Sequence, residues 1–255
     1  MAVAVVTGSA SGIGAAIRTR LEKDGFQVIG VDLRDAEIVA DLSAPDGRRS
    51  AVAGALERCG GRLDRLVACA GLGPHVRPPS LVASVNYFGA VDVIDGLCEA
   101  LSRGVDPAAV AVVSNSAQMA PLDDHPYVAA LLDGDEVEAG RIIDELDNPV
   151  VAYMGSKHAL GRALRRRVRR FGEARVRLNG VAPGPVRTPL LEAGIADPAT
   201  RDAIQSIDLP IGRWGQPEDV ADLVAFLLAP AAGWIHGSIV FIDGGNDAEI
   251  RPDRY

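Results

Sequence analysis

A glycine-rich turn between an apolar strand and a helix constrains the fold of this chain more than any other stretch. The run Ala2–Val6 predicts a strand, and a helical pattern continues through Leu21. Between them lies Thr7-Gly8-Ser9-Ala10-Ser11-Gly12-Ile13-Gly14, with the spacing G-x-x-x-G-x-G. Glycines let the backbone approach a phosphate group, and the start of the helix offers N–H donors and a positive dipole end. The turn therefore predicts a nucleotide-binding site, the alternative being a tight turn that binds nothing.

Apolar strands alternate with helices along the rest of the sequence. The predicted strands are Gln27–Val31, Glu37–Ala40, Leu63–Ala70, Ala108–Val113 and Ser238–Ile242, and predicted helices include Ser84–Leu101 and Glu218–Leu228. Apolar strands joined by helices form parallel sheets that are covered by helices on both faces. With 255 residues, 48% of them hydrophobic, the chain can form one large α/β domain or two small ones. We expect an α/β fold with a single doubly wound parallel sheet, and residues 1–255 as one domain.

Several residues fall beyond the carboxyl ends of the predicted strands, which is where such sheets bind ligands. Asp32 follows the second strand, eighteen residues after Gly14. A carboxylate at this place bonds the ribose hydroxyls of a dinucleotide and repels a 2′-phosphate, which favours NAD over NADP. Arg34 lies two residues further on and could attract that phosphate, so the preference stays open. Asp41-Leu42 follows the third strand, where Asp41 either meets the adenine amino group or is an ordinary turn residue.

A tyrosine and a lysine four residues apart, Tyr153 and Lys157, lie on one face of a predicted helix. A neighbouring ammonium group stabilises a phenolate and lowers the pKa of the phenol toward neutral pH, where it can exchange a proton with a substrate. The pattern is common by chance, and its meaning here comes from the glycine-rich turn far upstream. Ser114 directly follows the fifth strand and can supply a hydroxyl beside that phenol, with Ser116 as the alternative.

Taken together and in this order, these segments resemble the short-chain dehydrogenase/reductase family over nearly the whole chain. The segments that carry the resemblance are Thr7–Gly14, Asn86, Ser114, Tyr153, Lys157, Pro183-Gly184 with Thr188, and Asp243-Gly244-Gly245. Within the family, the chain is most similar to the branch of bacterial 3α-hydroxysteroid dehydrogenase/carbonyl reductases. That similarity lies in Arg34-Asp35-Ala36-Glu37, Cys69–Pro74, Ser84–Gly89 and Arg251-Pro252.

The resemblance implies a Rossmann fold, NAD as cofactor, and reversible hydride transfer between the nicotinamide and a carbonyl carbon. It implies that Tyr153 is the acid toward a ketone or the base toward a secondary alcohol, and that Ser114 holds the carbonyl oxygen. It further implies that Lys157 lowers the pKa of Tyr153 and holds the nicotinamide ribose, and that Asn86 holds a water linked to Lys157. The cofactor-binding residues expected from the motifs are Gly8, Ser11, Gly12, Ile13, Gly14, Asp32, Arg34, Asp41, Leu42, Ala70, Gly71, Tyr153, Lys157, Pro183, Gly184, Val186 and Thr188.

The chain departs from the family pattern at two places. Ala68-Cys69-Ala70-Gly71 stands where the family usually has Asn-Asn-Ala-Gly, which removes a polar side chain but no reacting atom. Ser114 and Tyr153 are 39 residues apart, more than in most of the family, so we expect an inserted segment at residues 118–149. It carries nine carboxylates and one arginine, and its apolar residues predict two short helices. Because the family usually pairs subunits through helices beside this segment, we expect a homodimer with an altered interface and not a tetramer.

The residues expected around the substrate are largely apolar. They are Leu72, Pro74, Met119, Pro121 and Met154, together with Leu190, Leu191 and Ile195 on a substrate lid at residues 185–208. Arg187 is the candidate for an anion clamp, and we expect it to face the cofactor or solvent. An apolar pocket with one hydrogen-bonded oxygen suits a bulky secondary alcohol or ketone. With the branch resemblance, we expect a 3α-hydroxysteroid or related carbonyl substrate. The alternatives are a smaller cyclic or terpenoid ketone, and a nucleotide-sensing protein without catalysis.

Composition argues against several other classes. The net charge of −8 creates no field that attracts nucleic acid, and the arginines between Arg162 and Arg170 predict a solvated helix face, or a surface that meets the insertion. The four histidines lack metal-ligand spacing, so we expect no metal site. Three cysteines without C-x-x-C spacing predict reduced thiols in a cytoplasmic protein. Residues 223–242 carry no charged side chain, but proline and glycine interrupt them, so a helix, a turn and a strand explain them better than a membrane span.

Overall fold

Short apolar strands pair in parallel at the centre of the computed structural model, which describes residues 1–198 and 200–254, Ala203 by its backbone alone. Within these residues the strands are β1 (Val3–Thr7), β2 (Gln27–Asp32), β3 (Ile38–Val39), β4 (Arg65–Ala68), β5 (Ala108–Val112), β6 (Arg177–Pro183) and β7 (Ile239–Ile242). They form one parallel sheet in the order β3-β2-β1-β4-β5-β6-β7. The order reverses between β1 and β4, so the loops that follow these strands diverge and leave a crevice at the carboxyl edge of the sheet.

Helices connect the strands and cover both faces of the sheet. They are α1 (Gly12–Lys23), α2 (Pro45–Arg58), α3 (Pro79–Ala83), α4 (Ala90–Gly96), α5 (Cys98–Ser102), α6 (Pro126–Asp133), α7 (Glu136–Leu146), α8 (Pro149–Arg166), α9 (Val168–Glu173), α10 (Pro189–Ala196), α11 (Arg201–Gln205), α12 (Pro217–Leu228) and α13 (Asn246–Ile250). A π-helical turn occupies Ser84–Gly89, and 3₁₀ turns occupy Asn115–Gln118 and Pro230–Ala232.

The two faces of the sheet bury separate sets of apolar side chains, because successive residues of a strand point to opposite sides. Val5 of β1 belongs to the core beneath α2, α4 and α8, where it joins Ile94 and Leu164. Val6 belongs to the core beneath α1 and α12, with Leu21 and Val224. The predicted fold, a single doubly wound parallel sheet with helices on both faces, is confirmed.

The strand β6 was not predicted from the sequence, because polar residues interrupt its apolar pattern. The structure shows why they are tolerated. Arg177 donates to the carbonyl oxygens of Leu227 at 2.6 Å and Ala232 at 3.2 Å. Asn179 donates to the Ile235 carbonyl oxygen at 2.8 Å, so the terminal guanidinium nitrogens of Arg177 and the amide nitrogen of Asn179 have carbonyl partners.

The predicted continuous helix Ser84–Leu101 is instead divided into the π turn, α4 and α5, with Leu97 between the last two. The wider π turn contains Asn86, whose side chain bonds both the N–H and the C=O of Leu72 in the loop after β4. The prediction of a regular helix for this segment was therefore wrong. The spacing of apolar residues carries no information about a side-chain hydrogen bond to a distant loop.

Residues 118–149 contain α6 and α7, in agreement with the two predicted helices. The carboxylate of Glu136 at the start of α7 reaches across to the buried Arg48 of α2, which also contacts Asp92 of α4. The Arg162–Arg170 cluster meets the insertion through backbone groups instead: Arg162 donates to the Asp123 carbonyl oxygen at 2.9 Å and Arg166 to that of Leu132 at 3.5 Å. The insertion is thus packed against α8 and held to α2 and α4 by charge.

The uncharged run at residues 223–242 forms the end of α12, the 3₁₀ turn Pro230–Ala232 and the partly buried β7, as predicted. In the described part of the chain, no helix combines the length and the apolar character that crossing a membrane requires. Nor do three or more His, Cys, Asp or Glu side chains of these residues come together as metal ligands would.

Candidate active site

A cavity of about 830 Å³ opens at the carboxyl edge of the sheet, between the loops that follow β1, β2, β4, β5 and β6. It brings together nearly all the site residues predicted from the sequence. Those that line it are Gly8, Ser11, Gly12, Ile13, Gly14, Asp32, Asp41, Leu42, Ala70, Gly71, Ser114, Tyr153, Lys157, Pro183, Gly184, Val186 and Thr188. Arg34 and Asn86 do not line it.

The glycine-rich turn forms the floor at one end of the cavity. Gly8 and Gly12 have φ values of +70° and +52°, in the region that favours glycine. A Cβ atom at Gly14 would lie 2.0 Å from the Gly8 carbonyl oxygen, so no other residue fits there. Ser11 precedes α1 without capping it through its side chain, so the first N–H groups of that helix lack this partner. The turn is therefore shaped as a cradle for a phosphate group, which fits a dinucleotide.

Asp32 presents its carboxylate to the cavity, whereas Arg34 does not present its guanidinium. The two carboxylate oxygens of Asp32 accept the N–H groups of Ala10 at 2.9 Å and Leu33 at 2.7 Å, which hold the side chain in place. The Arg34 side chain is 84% exposed, and its nearest acid is Asp35 at 3.9 Å. Asp41 accepts the N–H of Ser43 at 2.9 Å and lines the cavity beside Leu42.

Ser114, Tyr153 and Lys157 meet at the centre of the cavity. Ser114 caps the 3₁₀ turn after β5, and its hydroxyl lies 2.9 Å from that of Ser116, which also lines the cavity. Tyr153 is half-buried on α8, and Ser114 hydrogen-bonds its phenol. Lys157 is 4% exposed and donates through Nζ to the Val112 carbonyl oxygen at 2.8 Å.

Burial governs the protonation of these groups. It raises the pKa of Tyr153, an effect that the hydrogen bond from Ser114 only reduces. It lowers the pKa of Lys157 to about 8, since a buried ammonium group loses hydration. The lowering of the Tyr153 pKa predicted from the Tyr–Lys spacing is therefore not found in the protein by itself, because desolvation of the phenol is the largest effect on its pKa.

Asn86 is fully buried behind the cavity. Its Oδ1 accepts the Leu72 N–H at 2.7 Å, and its Nδ2 donates to the Leu72 carbonyl oxygen at 3.0 Å and to Ser156 Oγ at 3.3 Å. Gly71 lies between Asn86 and Lys157, since a Cβ atom there would be 3.2 Å from Asn86 Oδ1 and 3.4 Å from Lys157 Nζ. The side chain thus joins the loop after β4 to α8, and its amide is committed to these bonds.

The outer part of the cavity has apolar walls. Of the residues predicted to surround the substrate, Leu72, Pro74, Met119, Met154, Leu190 and Leu191 line it, whereas Pro121 and Ile195 do not. Arg187 is not in the lining either, and its guanidinium lies over the Trp214 ring at 5.5 Å. Sequence reasoning missed Val76, Leu81, Val85 and Val150, and it included Ile204 and Ile207 in the predicted lid without naming them. The first four carry no motif, and they reach the cavity only because the loop before α3, α3 itself, the π turn and the start of α8 fold toward it.

The predicted lid region contains α10 and α11, which pack closely together. Thr200 is 5% exposed and donates to the Gly194 carbonyl oxygen at 2.6 Å. A Cβ atom at Gly194 would lie 2.8 Å from Ile204 Cδ1, so this glycine permits the close packing of the two helices. At its base, Thr188 caps α10 and lies against Gly12 of the glycine-rich turn.

Comparison with known proteins agrees with this geometry. Residues 2–130 match the family model described as short chain dehydrogenase, and residues 137–247 match that of enoyl-(acyl carrier protein) reductase. The chain is 44% identical to a 3-alpha-hydroxysteroid dehydrogenase/carbonyl reductase of Comamonas testosteroni, with complete coverage of both chains. It is 32% identical to a coniferyl-alcohol dehydrogenase of a Pseudomonas species, covering 94% of each chain.

A solved structure shows the same similarity. The 3-alpha-hydroxysteroid dehydrogenase of Pseudomonas sp. B-0831, in complex with NADH, superposes with a TM-score of 0.98 and is 48% identical, with complete coverage of both chains. The match spans the sheet, the glycine-rich turn, the insertion and the lid alike. This chain therefore belongs to the short-chain dehydrogenase/reductase family.

Proposed function

We propose that this protein is an NAD-dependent oxidoreductase that interconverts a secondary alcohol and a ketone on bulky apolar substrates, with 3α-hydroxysteroids as the substrate class. The observation that carries the proposal is one cavity that contains a phosphate cradle, the Ser114–Tyr153 pair and apolar walls. The names of the Comamonas and Pseudomonas relatives support the same substrate class.

Different residues of the cavity would bind different parts of the cofactor. The turn Gly8–Gly14 would hold the pyrophosphate, Asp32 the adenosine ribose hydroxyls, and Asp41 with Leu42 the adenine. Ala70 and Gly71 follow β4 beside Lys157, which would hold the nicotinamide ribose. Pro183, Gly184, Val186 and Thr188 would form the nicotinamide side of the site. NAD(H), when bound, supplies a hydride to a carbonyl carbon or takes one from an alcohol.

The protein manages the accompanying proton. In reduction, Tyr153 donates the proton of its phenol to the ketone oxygen, while the Ser114 hydroxyl hydrogen-bonds the same oxygen and stabilises its developing charge. In oxidation, Tyr153 accepts the proton of the alcohol. Because burial raises the pKa of Tyr153, the phenol holds its proton at neutral pH, which favours reduction there and oxidation at higher pH.

Asp32 supports NAD over NADP in this proposal. A 2′-phosphate beside the ribose would meet the carboxylate, which the N–H of Ala10 fixes in position. The exposed Arg34 side chain would have to turn from solvent into the cavity to neutralise that phosphate. The discrimination therefore rests on repulsion by a fixed charge.

The test is a substrate panel followed by NADH absorbance, with NADP(H) in parallel. It contains 3α- and 3β-hydroxysteroids, the matching 3-ketosteroids, coniferyl alcohol and smaller cyclic ketones. We expect turnover of the 3α-hydroxysteroids, with the Tyr153→Phe variant as the inactive control. Turnover confined to the smaller compounds would reassign the substrate, and NADH binding without turnover of any compound would favour a nucleotide-sensing role.

We also propose a homodimer located in the cytoplasm. The insertion packs on α3 and α8 and is tied to α4 through Arg48, so it covers helices through which the family usually pairs. The three cysteines are free, which suits a reducing compartment. Light scattering should give the mass of two chains, and a tetramer would contradict this interface.

A further inference from the structure

Tyr127, on α6 of the insertion, is buried against the first turns of α8. None of its surface is exposed, and its phenol donates to the Ala152 carbonyl oxygen at 3.2 Å. Ala152 directly precedes Tyr153 in the chain. This hydrogen bond is therefore made one residue away from the phenol that exchanges the substrate proton.

The ring of Tyr127 packs on the same face of the helix. A Cβ atom at Gly155 would lie 2.8 Å from both Cδ1 and Cε1 of the Tyr127 ring, closer than a real Cβ atom approaches. Ala152 and Gly155 are three residues apart and so share one face of α8. The hydroxyl and the ring of Tyr127 thus fill a single groove, and the glycine within Tyr153-Met154-Gly155-Ser156-Lys157 is what leaves room for it.

Tyr127 is itself held firmly. Its N–H is accepted by the His125 side chain, which caps α6, at 3.2 Å. Burial raises the pKa of Tyr127 far above its ordinary range, so the phenol remains a donor at every working pH. The donor on the insertion is therefore permanent.

A second set of hydrogen bonds holds the same turn of α8, on the side that faces the sheet. Ser156 Oγ donates to the Tyr153 carbonyl oxygen at 2.8 Å and accepts a bond from Asn86 Nδ2 at 3.3 Å. The turn that carries Tyr153 is thus fixed by Asn86 through Ser156 and by Tyr127 through Ala152. The insertion supplies one of these two supports.

We propose that Tyr127 is a positioning residue for Tyr153, so that the insertion orders the catalytic turn of α8 as well as shaping the subunit surface. The inference rests on the proposed function, in which Tyr153 exchanges the substrate proton. Alignment of the Tyr153 phenol with Ser114 matters because the hydrogen bond from Ser114 lowers its pKa. Loosening the turn weakens that bond and slows the proton step.

The first test variant is Tyr127→Phe, which keeps the ring and removes the donor. We expect kcat to fall about tenfold, with the substrate KM and the NADH Kd from fluorescence titration within about twofold of the parent values. The pH dependence of alcohol oxidation should shift to higher pH, because Tyr153 loses its alignment with Ser114. In hydrogen–deuterium exchange, amides at residues 152–157 should exchange faster. The matched control is Tyr87→Phe, since Tyr87 is 4% exposed and lies beside Arg167, just past the other end of α8; its kcat and pH profile should be unchanged.

A second pair of variants tests the groove. Gly155→Ala should displace the Tyr127 ring and lower kcat in the same way, and adding Tyr127→Leu should restore part of the loss by removing the collision. Unchanged kcat and pH profile in Tyr127→Phe would overturn the inference, whether or not its thermal stability falls.

Hydrogen exchange separates this inference from the proposed function. A parent enzyme that turns over no member of the panel refutes the function alone. In that case, faster exchange at residues 152–157 of Tyr127→Phe still supports the positioning role, and unchanged exchange overturns it.

Discussion

Replacing Arg48 by methionine is expected to loosen the insertion from the rest of the protein. Arg48 of α2 has a side chain that is 3% exposed, and it donates to Glu136 Oε1 of α7 at 3.0 Å. Its Nε lies 2.9 Å from Asp92 Oδ2 of α4. One guanidinium thus neutralises two carboxylates from different helices, and methionine keeps its apolar stem while removing the charge.

The magnitude follows from the burial of the three groups. Removing one partner of a buried ion pair costs about 3–5 kcal/mol, because the remaining charge is left uncompensated. The Glu136 and Asp92 side chains are 27% and 49% exposed, so water takes up part of the loss. We therefore expect the lower end of the range, about 3 kcal/mol. At about 2–4 °C per kcal/mol for a domain of this size, Tm should fall by about 6–12 °C.

Urea denaturation followed by circular dichroism, together with thermal unfolding, measures this loss. The matched control is Arg141→Met, because Arg141 on α7 also contacts two carboxylates but is 51% exposed. Its Tm should be unchanged within error. Adding Glu136→Gln to Arg48→Met should restore part of the stability by removing an uncompensated charge. An equal fall in Tm for the Arg48 and Arg141 variants would refute the reasoning.

Three further predictions concern the cavity. Tyr153→Phe should lower kcat by about a thousandfold or more, because the acid–base group is lost. The NADH Kd from fluorescence titration should stay unchanged, and near-normal turnover would contradict the mechanism. Asp32→Asn should raise the ratio of kcat/KM with NADP to that with NAD about tenfold or more, whereas a parent enzyme that already prefers NADP would show that Arg34 outweighs Asp32. In the folded protein without cofactor, the pKa of Lys157 is about 8, whereas in the unfolded chain it has its ordinary value of 10.5. Between these two pH values the unfolded chain binds a proton that the folded chain has released. The free energy of unfolding should therefore increase as the pH rises from about 8 to 10.5. The urea midpoint of Lys157→Met should not increase with pH in this range. If the midpoints of the parent and the variant changed with pH in parallel, the lowered pKa of Lys157 would be contradicted.

Local pattern in the sequence was sufficient for the strands of the sheet other than β6 and for the glycine-rich turn. Strands such as Ala108–Val112 are apolar throughout, and the residues Gly8, Gly12 and Gly14 occupy positions where positive φ or close backbone approach admits nothing larger. In a parallel sheet, the carboxyl ends of the strands meet at one edge. For that reason Asp32 and Ser114 reach one cavity although they are distant in the chain.

Tertiary structure decided the features that depend on a partner elsewhere in the chain. β6 could not be predicted because it contains the polar residues Arg177 and Asn179. Their carbonyl partners, on Leu227 and Ile235, are brought to them only by the fold. The side chain of Asn86 bonds the loop after β4 and Ser156, and neither contact could be predicted from a local pattern. The pKa of Tyr153 also depends on the folded structure, since desolvation of its phenol in the cavity raises it and the hydrogen bond from Ser114 lowers it.

The same distinction explains the insertion. Its helical periodicity and its acidic character could be predicted from residues 118–149 alone, because both are properties of a continuous segment. The contact of Glu136 with Arg48 and that of Tyr127 with Ala152 and Gly155 join residues that no local pattern relates. A buried charge or hydroxyl needs a partner at hydrogen-bond distance, and only the folded chain determines which distant residue provides it.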